Sequence, residues 1–128
     1  MIKWDTKHEL GNEQIDSEHR TLIELIVDFE KAAKQGIAKS ELVRILDEIS
    51  TYAEYHFASE EKIMTDCQYP EQKSHARLHL NLMEDLTDIF WKFKRGTVAA
   101  NVVFQFLFEW FDLHVSIEDK KLVEYVGN

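Results

Sequence analysis

The chain has very few residues that break a helix, since its 128 residues include one proline and four glycines. The long stretches between them are rich in leucine, glutamate, lysine and alanine, which favour the α-helix. A hydrophobic content of 45% is enough to form a packed core in a chain of this length. The sequence therefore predicts a single all-α domain over residues 1–128.

Apolar residues recur at helical spacing in four segments that are joined by short connections. We expect an irregular N-terminal arm over residues 1–16, with a turn at Gly11-Asn12, and a bundle over residues 17–125. The predicted first residues of the four helices are, in order, Asp16 or Ser17, Ser40, Pro70, and Thr97 or Val98. Short loops between such helices predict an up-down-up-down antiparallel four-helix bundle.

The predicted fourth helix is apolar on nearly every side between Val102 and Val115. A helix of this kind is usually covered on more than one side. We expect the arm to cover its outer face through Ile2 and Trp4, or a second copy of the chain to do so. The chain is expected to be a monomer, with a dimer through the fourth helix as the alternative.

The formal net charge of −9 argues against a nucleic-acid partner, because binding to phosphates needs clustered lysine and arginine. No apolar stretch approaches the roughly 18–20 residues that span a bilayer, and the first residues lack the apolar segment of a signal peptide. The single cysteine, Cys67, cannot form an intrachain disulfide. We therefore expect a cytoplasmic protein that does not insert into membranes.

Five histidines fall on the inward faces of the predicted helices. His75 and His79 are four residues apart, so both rings lie on one side of a helix, one turn apart. His19, His56 and His114 lie on the apolar faces of the first, second and fourth helices, and antiparallel packing would bring all five to one height. Buried polar atoms without partners cost roughly 1–3 kcal/mol each, whereas a shared metal would use one nitrogen of every ring. The pattern predicts a metal site.

Carboxylates accompany the histidines on two helices. Glu60 stands one turn after His56. After His114 two acids are possible: Glu118, at i+4, lies on the same face of a regular helix, whereas Asp119, at i+5, is turned about 140° away. Helix periodicity alone favours Glu118. Asp119 could reach the site only if the helix bulges, as helices do at some functional sites.

Five histidines and two carboxylates exceed the needs of one ion, and bridging carboxylates suit a pair of ions. Nitrogen-rich ligation without thiolate suits iron, copper, zinc or nickel, and carboxylate bridges favour iron or manganese. The ferritin-like di-iron design uses a Glu-x-x-His motif on each of two helices, and this sequence has none. The residues therefore indicate a dinuclear site of another type.

The residues around the histidines form four motifs along nearly the whole chain. They are Ile15-Asp16-Ser17-Glu18-His19, His56-Phe57-Ala58-Ser59-Glu60-Glu61, His75-Ala76-Arg77-Leu78-His79 and His114-Val115-Ser116-Ile117-Glu118-Asp119. In this order, and preceded by an arm with Trp4, they resemble the hemerythrins, more specifically the single-domain bacterial hemerythrins (bacteriohemerythrins). One departure is Glu18, where the family often has glutamine, at a position that is not a ligand.

The resemblance implies a non-haem di-iron centre. One iron would have three histidine ligands and the other two, with two carboxylates and a solvent-derived oxo or hydroxo group as bridges. The implied ligands are His75, His79 and His114 on one iron, His19 and His56 on the other, and Glu60 and Asp119 as bridges. The resemblance, and not helix periodicity, thus selects Asp119 over Glu118.

The resemblance also implies reversible binding of dioxygen at the two-histidine iron, for oxygen carriage, storage or sensing and not as an enzyme. A dry apolar lining would exclude water from that position, besides being ordinary core. The residues that we assign to this lining are Leu22, Trp110, Phe111 and Val115. The alternative functions are a di-iron oxidase or peroxidase acting on peroxide or nitric oxide, and a helical interaction module with a structural metal.

Three other residues receive ordinary interpretations. His8 is expected to be a solvated side chain of the arm, and Cys67 a boundary residue of the loop after the second helix. Glu61 is expected to belong to the solvated outer surface.

Overall fold

The computed structural model describes residues 8–127, and for Val115 and Ser116 the backbone alone. Its helices, in chain order, are α1 Glu13–Lys34, α2 Lys39–Asp66, α3 Gln72–Lys94, α4 Ala100–Leu113, a π-helix His114–Asp119, and α5 Lys120–Gly127. The last three follow one another without a break and together form the fourth helix of an antiparallel bundle. The predicted four-helix fold is confirmed.

The bundle has two apolar clusters inside it. α1 and α3 each pack against α2 and α4, so every helix has two neighbours. The larger cluster includes Phe29, Leu46 and Leu107, all fully buried. The smaller one contains Ile15 and Leu122 and lies beside the α2–α3 connection. The two clusters leave a section of the bundle between them, and the polar residues described below occupy it.

The start of α1 lies three residues before the predicted Asp16. Asn12 is the N-cap, because its side chain accepts a hydrogen bond from the backbone N–H of Ile15 at 3.0 Å. Asp16 instead accepts a hydrogen bond from the backbone N–H of Leu10 at 3.0 Å and so holds the arm against the helix. The predicted start of the first helix was late because Asn12 was interpreted only as a turn residue and not as the N-cap.

An Asn12→Ala variant should be less stable than the wild type by about 0.5–2 kcal/mol, because the first turn of α1 loses its side-chain acceptor. Urea unfolding of the metal-free protein measures the difference. Asn81→Ala is a matched control, since Asn81 is exposed within α3 and caps no helix. Equal destabilisation of the two variants would contradict the capping role.

The other helices begin close to their predicted positions, within the usual variation at helix ends for α2 and α3. Pro70 lies in the turn before α3 and not in its first turn. α4 begins after the predicted Thr97 and Val98. The reason is that the Thr97 hydroxyl donates a hydrogen bond to the backbone carbonyl of Lys92 at 2.9 Å and thereby closes the end of α3.

The end of the arm contacts the fourth helix through His8, which is buried, with a relative exposure of 2%. Its Nε2 lies 3.3 Å from Oδ1 of Asp112, and its ring is edge-on to Phe111 with the ring centres 5.6 Å apart. The expectation of a solvated His8 was therefore wrong. Ile2 and Trp4, which we expected to cover this helix, lie outside the described residues. Within residues 8–127, none of the helices combines the length and the apolar character needed to cross a membrane.

Candidate metal centre

The seven side chains that the sequence singled out as ligands converge between the two apolar clusters. α1 contributes one histidine, α2 a histidine and a glutamate, α3 two histidines, and the π-helix a histidine and an aspartate. Each has a relative exposure of 7% or less. They are His19, His56, Glu60, His75, His79, His114 and Asp119. Every helix of the bundle thus supplies at least one of them.

The potential ligand atoms fall into two groups, and within each group all of these atoms lie within 4.8 Å of one another. One group combines the three histidines of α3 and the π-helix with two carboxylates, and the other combines His19 and His56 with the same two carboxylates. Glu60 and Asp119 belong to both groups. The structure therefore contains two adjoining sites, each able to hold a cation, that share both carboxylates.

The two oxygens of Glu60 face different groups of histidines. Oε1 lies 3.1 Å from Nε2 of His75 and 3.0 Å from Nε2 of His79. Oε2 lies 2.8 Å from Nε2 of His56. Because Glu60 follows His56 by one helical turn, the regular geometry of α2 is enough to aim both side chains at the same point.

Asp119 divides its oxygens in the same way. Oδ1 lies 2.9 Å from Nε2 of His114 and 3.3 Å from Nε2 of His75. Oδ2 lies 2.7 Å from Nε2 of His19. A carboxylate that turns one oxygen to each group has the orientation needed to bridge two ions.

Asp119 reaches this position because residues 114–119 form a π-helix and not an α-helix. A π-helix bonds each N–H to the carbonyl five residues earlier, so residues at i and i+5 come to one side. His114 and Asp119 have this spacing, and both are buried. Glu118 points elsewhere: its side chain is 34% exposed, with Oε1 3.8 Å from Nζ of Lys121. The structure thus brings Asp119, and not Glu118, to the other six residues.

The charges of the cluster stabilise one another. Burial alone would lower the pKa of His75, but Asp119 and Glu60 outweigh it and raise that pKa to about 9. The pKa of His19 is raised for the same reason. Burial would raise the pKa of Glu60 and of Asp119, but the neighbouring histidines hold both below their usual range. In the absence of metal, protons on His19, His56 and His75 therefore balance the carboxylates, and a metal must displace them.

Some atoms at the centre have no hydrogen-bond partner among the described residues. They are Nε2 of His114, Oε2 of Glu60 and Oδ1 of Asp119. Nε2 of His114 and Oδ1 of Asp119 lie 2.9 Å apart, but their arrangement is not that of a hydrogen bond. Buried polar atoms left in this way cost about 1–3 kcal/mol each, and a cation at their centre would satisfy them. The imidazole and carboxylate donors therefore fit a pair of divalent or trivalent metal ions.

Two further carboxylates contact the outward nitrogens of the histidines. Nδ1 of His56 lies 2.7 Å from Oε1 of Glu18, and Nδ1 of His79 lies 3.1 Å from Oε2 of Glu61. Glu61 lies at the surface as expected, with its side chain 42% exposed, but it also contacts His79, which was not expected. Neither contact was predicted from the sequence. Each acid directly neighbours a candidate ligand in the chain, which is the one signal that could have pointed to it.

The apolar residues assigned to a lining lie at different places around the cluster. Phe111 is edge-on to His19, with the ring centres 5.5 Å apart, and Leu22 is buried in the same core cluster. Trp110 donates its indole N–H to the backbone carbonyl of Leu82 at 3.2 Å, so it is anchored to α3. The side chain of Val115 lies outside the described residues. The described three are thus buried, and Phe111 directly contacts a candidate ligand.

Phe57 is a contact residue that the sequence analysis missed. Its ring stacks on His79 with the ring centres 4.1 Å apart and the planes 12° apart. It is also edge-on to His114 at 5.4 Å. Phe57 stands three residues before Glu60, a spacing that places both on one side of α2 and could have indicated the contact. Phe57 therefore packs against one candidate ligand from α3 and one from the π-helix.

The fold and the cluster define a helical-bundle protein with a buried cation-binding site of histidine, glutamate and aspartate. The sequence model of the hemerythrin HHE cation binding domain matches residues 10–126. The chain therefore belongs to the hemerythrin family.

The curated relatives agree with this assignment. The chain is 24% identical over 126 residues to a bacteriohemerythrin of Stenotrophomonas maltophilia, which covers 98% of this chain and 82% of that protein. It is 26% identical over 121 residues to a bacteriohemerythrin of Campylobacter jejuni, which covers 91% of this chain and 88% of that protein. A crystal structure of wild-type hemerythrin has the same fold, with a TM-score of 0.89, 23% identity, and coverage of 100% of this chain and 99% of that one. The resemblance stated from the motifs is confirmed.

Proposed function

We propose that this protein binds dioxygen reversibly at a non-haem di-iron centre, for oxygen carriage, storage or sensing. The observation that carries the proposal is that two groups of buried histidines share Glu60 and Asp119. A single structural ion would not need seven ligands, whereas a pair of ions with bridging carboxylates uses all of them. Membership of the hemerythrin family supports iron as the metal.

The histidines divide unequally between the two ions in this proposal. One iron would be held by His75, His79 and His114, and the other by His19 and His56. The two irons would supply the electrons that dioxygen takes up on binding. Because the side formed by α1 and α2 offers one histidine fewer, we assign the position for dioxygen to that side.

The chain's own contribution is to keep this position dry. Phe111 lies edge-on to His19, and Leu22 is buried one turn after it on α1. The smaller apolar cluster, with Ile15, covers the other side of His19 along the helix. Exclusion of water from such a site suppresses loss of reduced oxygen species, which favours reversible binding over turnover.

Anaerobic reconstitution with iron should give two irons per chain, and an oxygen titration should then produce a long-lived visible spectrum that reverses under vacuum. Iron analysis and visible spectroscopy measure the two results. Rapid conversion to the oxidised protein with release of product would instead support a di-iron oxidase or peroxidase. Iron content near zero, or one zinc per chain, would contradict both and leave a structural metal site.

A further inference from the structure

Glu18 is a buried acid on α1, with a relative exposure of 5%, and all its described hydrogen bonds lead to α2 or to its own helix. Oε1 accepts a hydrogen bond from Nδ1 of His56 at 2.7 Å. Oε2 accepts one from the hydroxyl of Ser59 at 2.8 Å and a longer one from the amide of Gln14 at 3.4 Å. Gln14 also donates to Ser59 at 2.6 Å, so the carboxylate is held from two sides.

The carboxylate on the other side of the centre is placed differently. Glu61 accepts from Nδ1 of His79 at 3.1 Å, but its side chain is 42% exposed, against 6% for Glu18. Solvent screens a charge at the surface far more than a buried one. Glu18 therefore acts more strongly on His56 than Glu61 acts on His79, and the two halves of the centre are electrostatically unequal.

In a metal-bound His56, the hydrogen bond to Glu18 would also decide which nitrogen keeps the proton. With Nδ1 donating to Glu18, Nε2 is the nitrogen that faces Oε2 of Glu60, at 2.8 Å. A carboxylate acceptor behind a metal-binding histidine sets its tautomer and raises its strength as a ligand. More electron donation and more negative charge both favour the higher oxidation state of an ion bound at that nitrogen.

We infer that Glu18 is a positioning residue that, through His56, lowers the reduction potential of the two-histidine side of the centre. The inference rests on the proposed function and deepens it, because it names the residue that makes the side assigned to dioxygen the better electron donor. This lowering of the potential requires the negative charge of Glu18 and not only its shape. Glutamine at this position would keep an acceptor for Nδ1 of His56 but would lose the charge.

The test compares Glu18→Gln and Glu18→Ala with the wild type and with Glu30→Gln. Glu30 is a matched control because it is also buried on α1, with 6% exposure, and its described ion pair is with Lys34. A redox titration of the iron-loaded proteins with mediators, followed by visible absorption, measures the potential. Zinc titration and thermal melting of the metal-free proteins measure metal affinity and folding independently of iron chemistry.

Glu18→Gln should lower the preference for ferric over ferrous ion about tenfold, which raises a one-electron potential by about 59 mV. Glu18→Ala should raise the reduction potential at least as far. It should also weaken zinc binding by about 10- to 100-fold, because His56 loses its acceptor. Glu30→Gln should leave the potential and zinc affinity at their wild-type values. Ser59→Ala removes a donor to Glu18 and keeps its charge, so it should shift the potential in the opposite direction.

A wild-type potential in Glu18→Gln, in protein that loads two irons, would overturn the inference and leave the proposed function standing. A wild type that does not load iron would overturn the proposed function instead. If Glu18→Gln fails to fold, the potential of Ser59→Ala tests the inference instead. A rise of that potential would overturn the inference, because it would show that the position of Glu18 and not its charge sets the potential.

Discussion

An Asp119→Ala variant should bind metal at least about 100-fold more weakly than the wild type, more than the loss that outer partners of ligands usually cause. Asp119 belongs to both groups of ligands, with its two oxygens 2.7 Å from Nε2 of His19 and 2.9 Å from Nε2 of His114. Its removal therefore weakens both sites together. Metal content after anaerobic reconstitution, and the affinity of the metal-free protein for zinc, measure the effect.

Glu118→Ala is the matched control, because it removes an acid at the adjacent position. Glu118 is half-exposed and faces Lys121 across 3.8 Å, so its loss should change stability by less than about 0.5 kcal/mol and leave metal content unchanged. If Glu118→Ala lost metal and Asp119→Ala did not, the π-helix would not have the role that we give it.

The difference between these two acids shows where reasoning from the sequence succeeds and where it stops. His56 and Glu60, like His75 and His79, are one turn apart in regular helices, so spacing alone places each pair on one face. Asp119 is not placed by such spacing, because its position depends on a π-helix at residues 114–119. π-helices are rare and occur mostly as single-turn bulges inside α-helices, so residue spacing alone does not predict one. The choice of Asp119 over Glu118 therefore came from the family resemblance and not from helix periodicity.

The contacts behind the ligands depend on how neighbouring helices are rotated about their axes, which a single sequence does not reveal. Glu18 on α1 meets His56 on α2, and Phe57 on α2 meets His79 on α3. Each residue could be assigned to a helix from the sequence, but its partner on the next helix could not.

The N-terminal arm illustrates a different difficulty. The apolar character of the fourth helix led us to expect a cover from Ile2 and Trp4, which lie outside the described residues, whereas the arm residue found on Phe111 in the described part is His8. An imidazole can pack its face or edge on Phe111 and still bond to Asp112, so it suits a surface that is apolar with a charged rim. The polarity of His8 therefore did not predict its exposure, because the side chain is buried.

The stability of the metal-free protein should have its maximum in mildly acidic solution. His75 has a pKa of about 9 in the folded protein against an ordinary 6.5, so its contribution is fully present below about pH 6.5 and is lost as the pH rises through 9. His19 and His56, whose pKa values are also raised, act in the same direction. Glu60 and Asp119, whose pKa values are lowered from 4.5 and 3.8, lose their contribution as the pH falls below these values. These groups therefore favour folding most between about pH 4.5 and 6.5.

Metal should remove the upper limit of this range, because a bound ion takes the place of the protons on the histidines. Raising the pH from 6.5 to 9 removes competing protons, so the melting temperature of the zinc-loaded protein should rise relative to that of the metal-free protein over this interval. His75→Asn lacks one of the groups responsible, and its metal-free form should lose less stability than the wild type over the same interval. Circular dichroism melting at pH 6, 7.5 and 9 compares the metal-free wild type, the zinc-loaded wild type and metal-free His75→Asn. If the metal-free wild type and His75→Asn declined equally, the proton held between His75 and the two carboxylates would not be a source of stability.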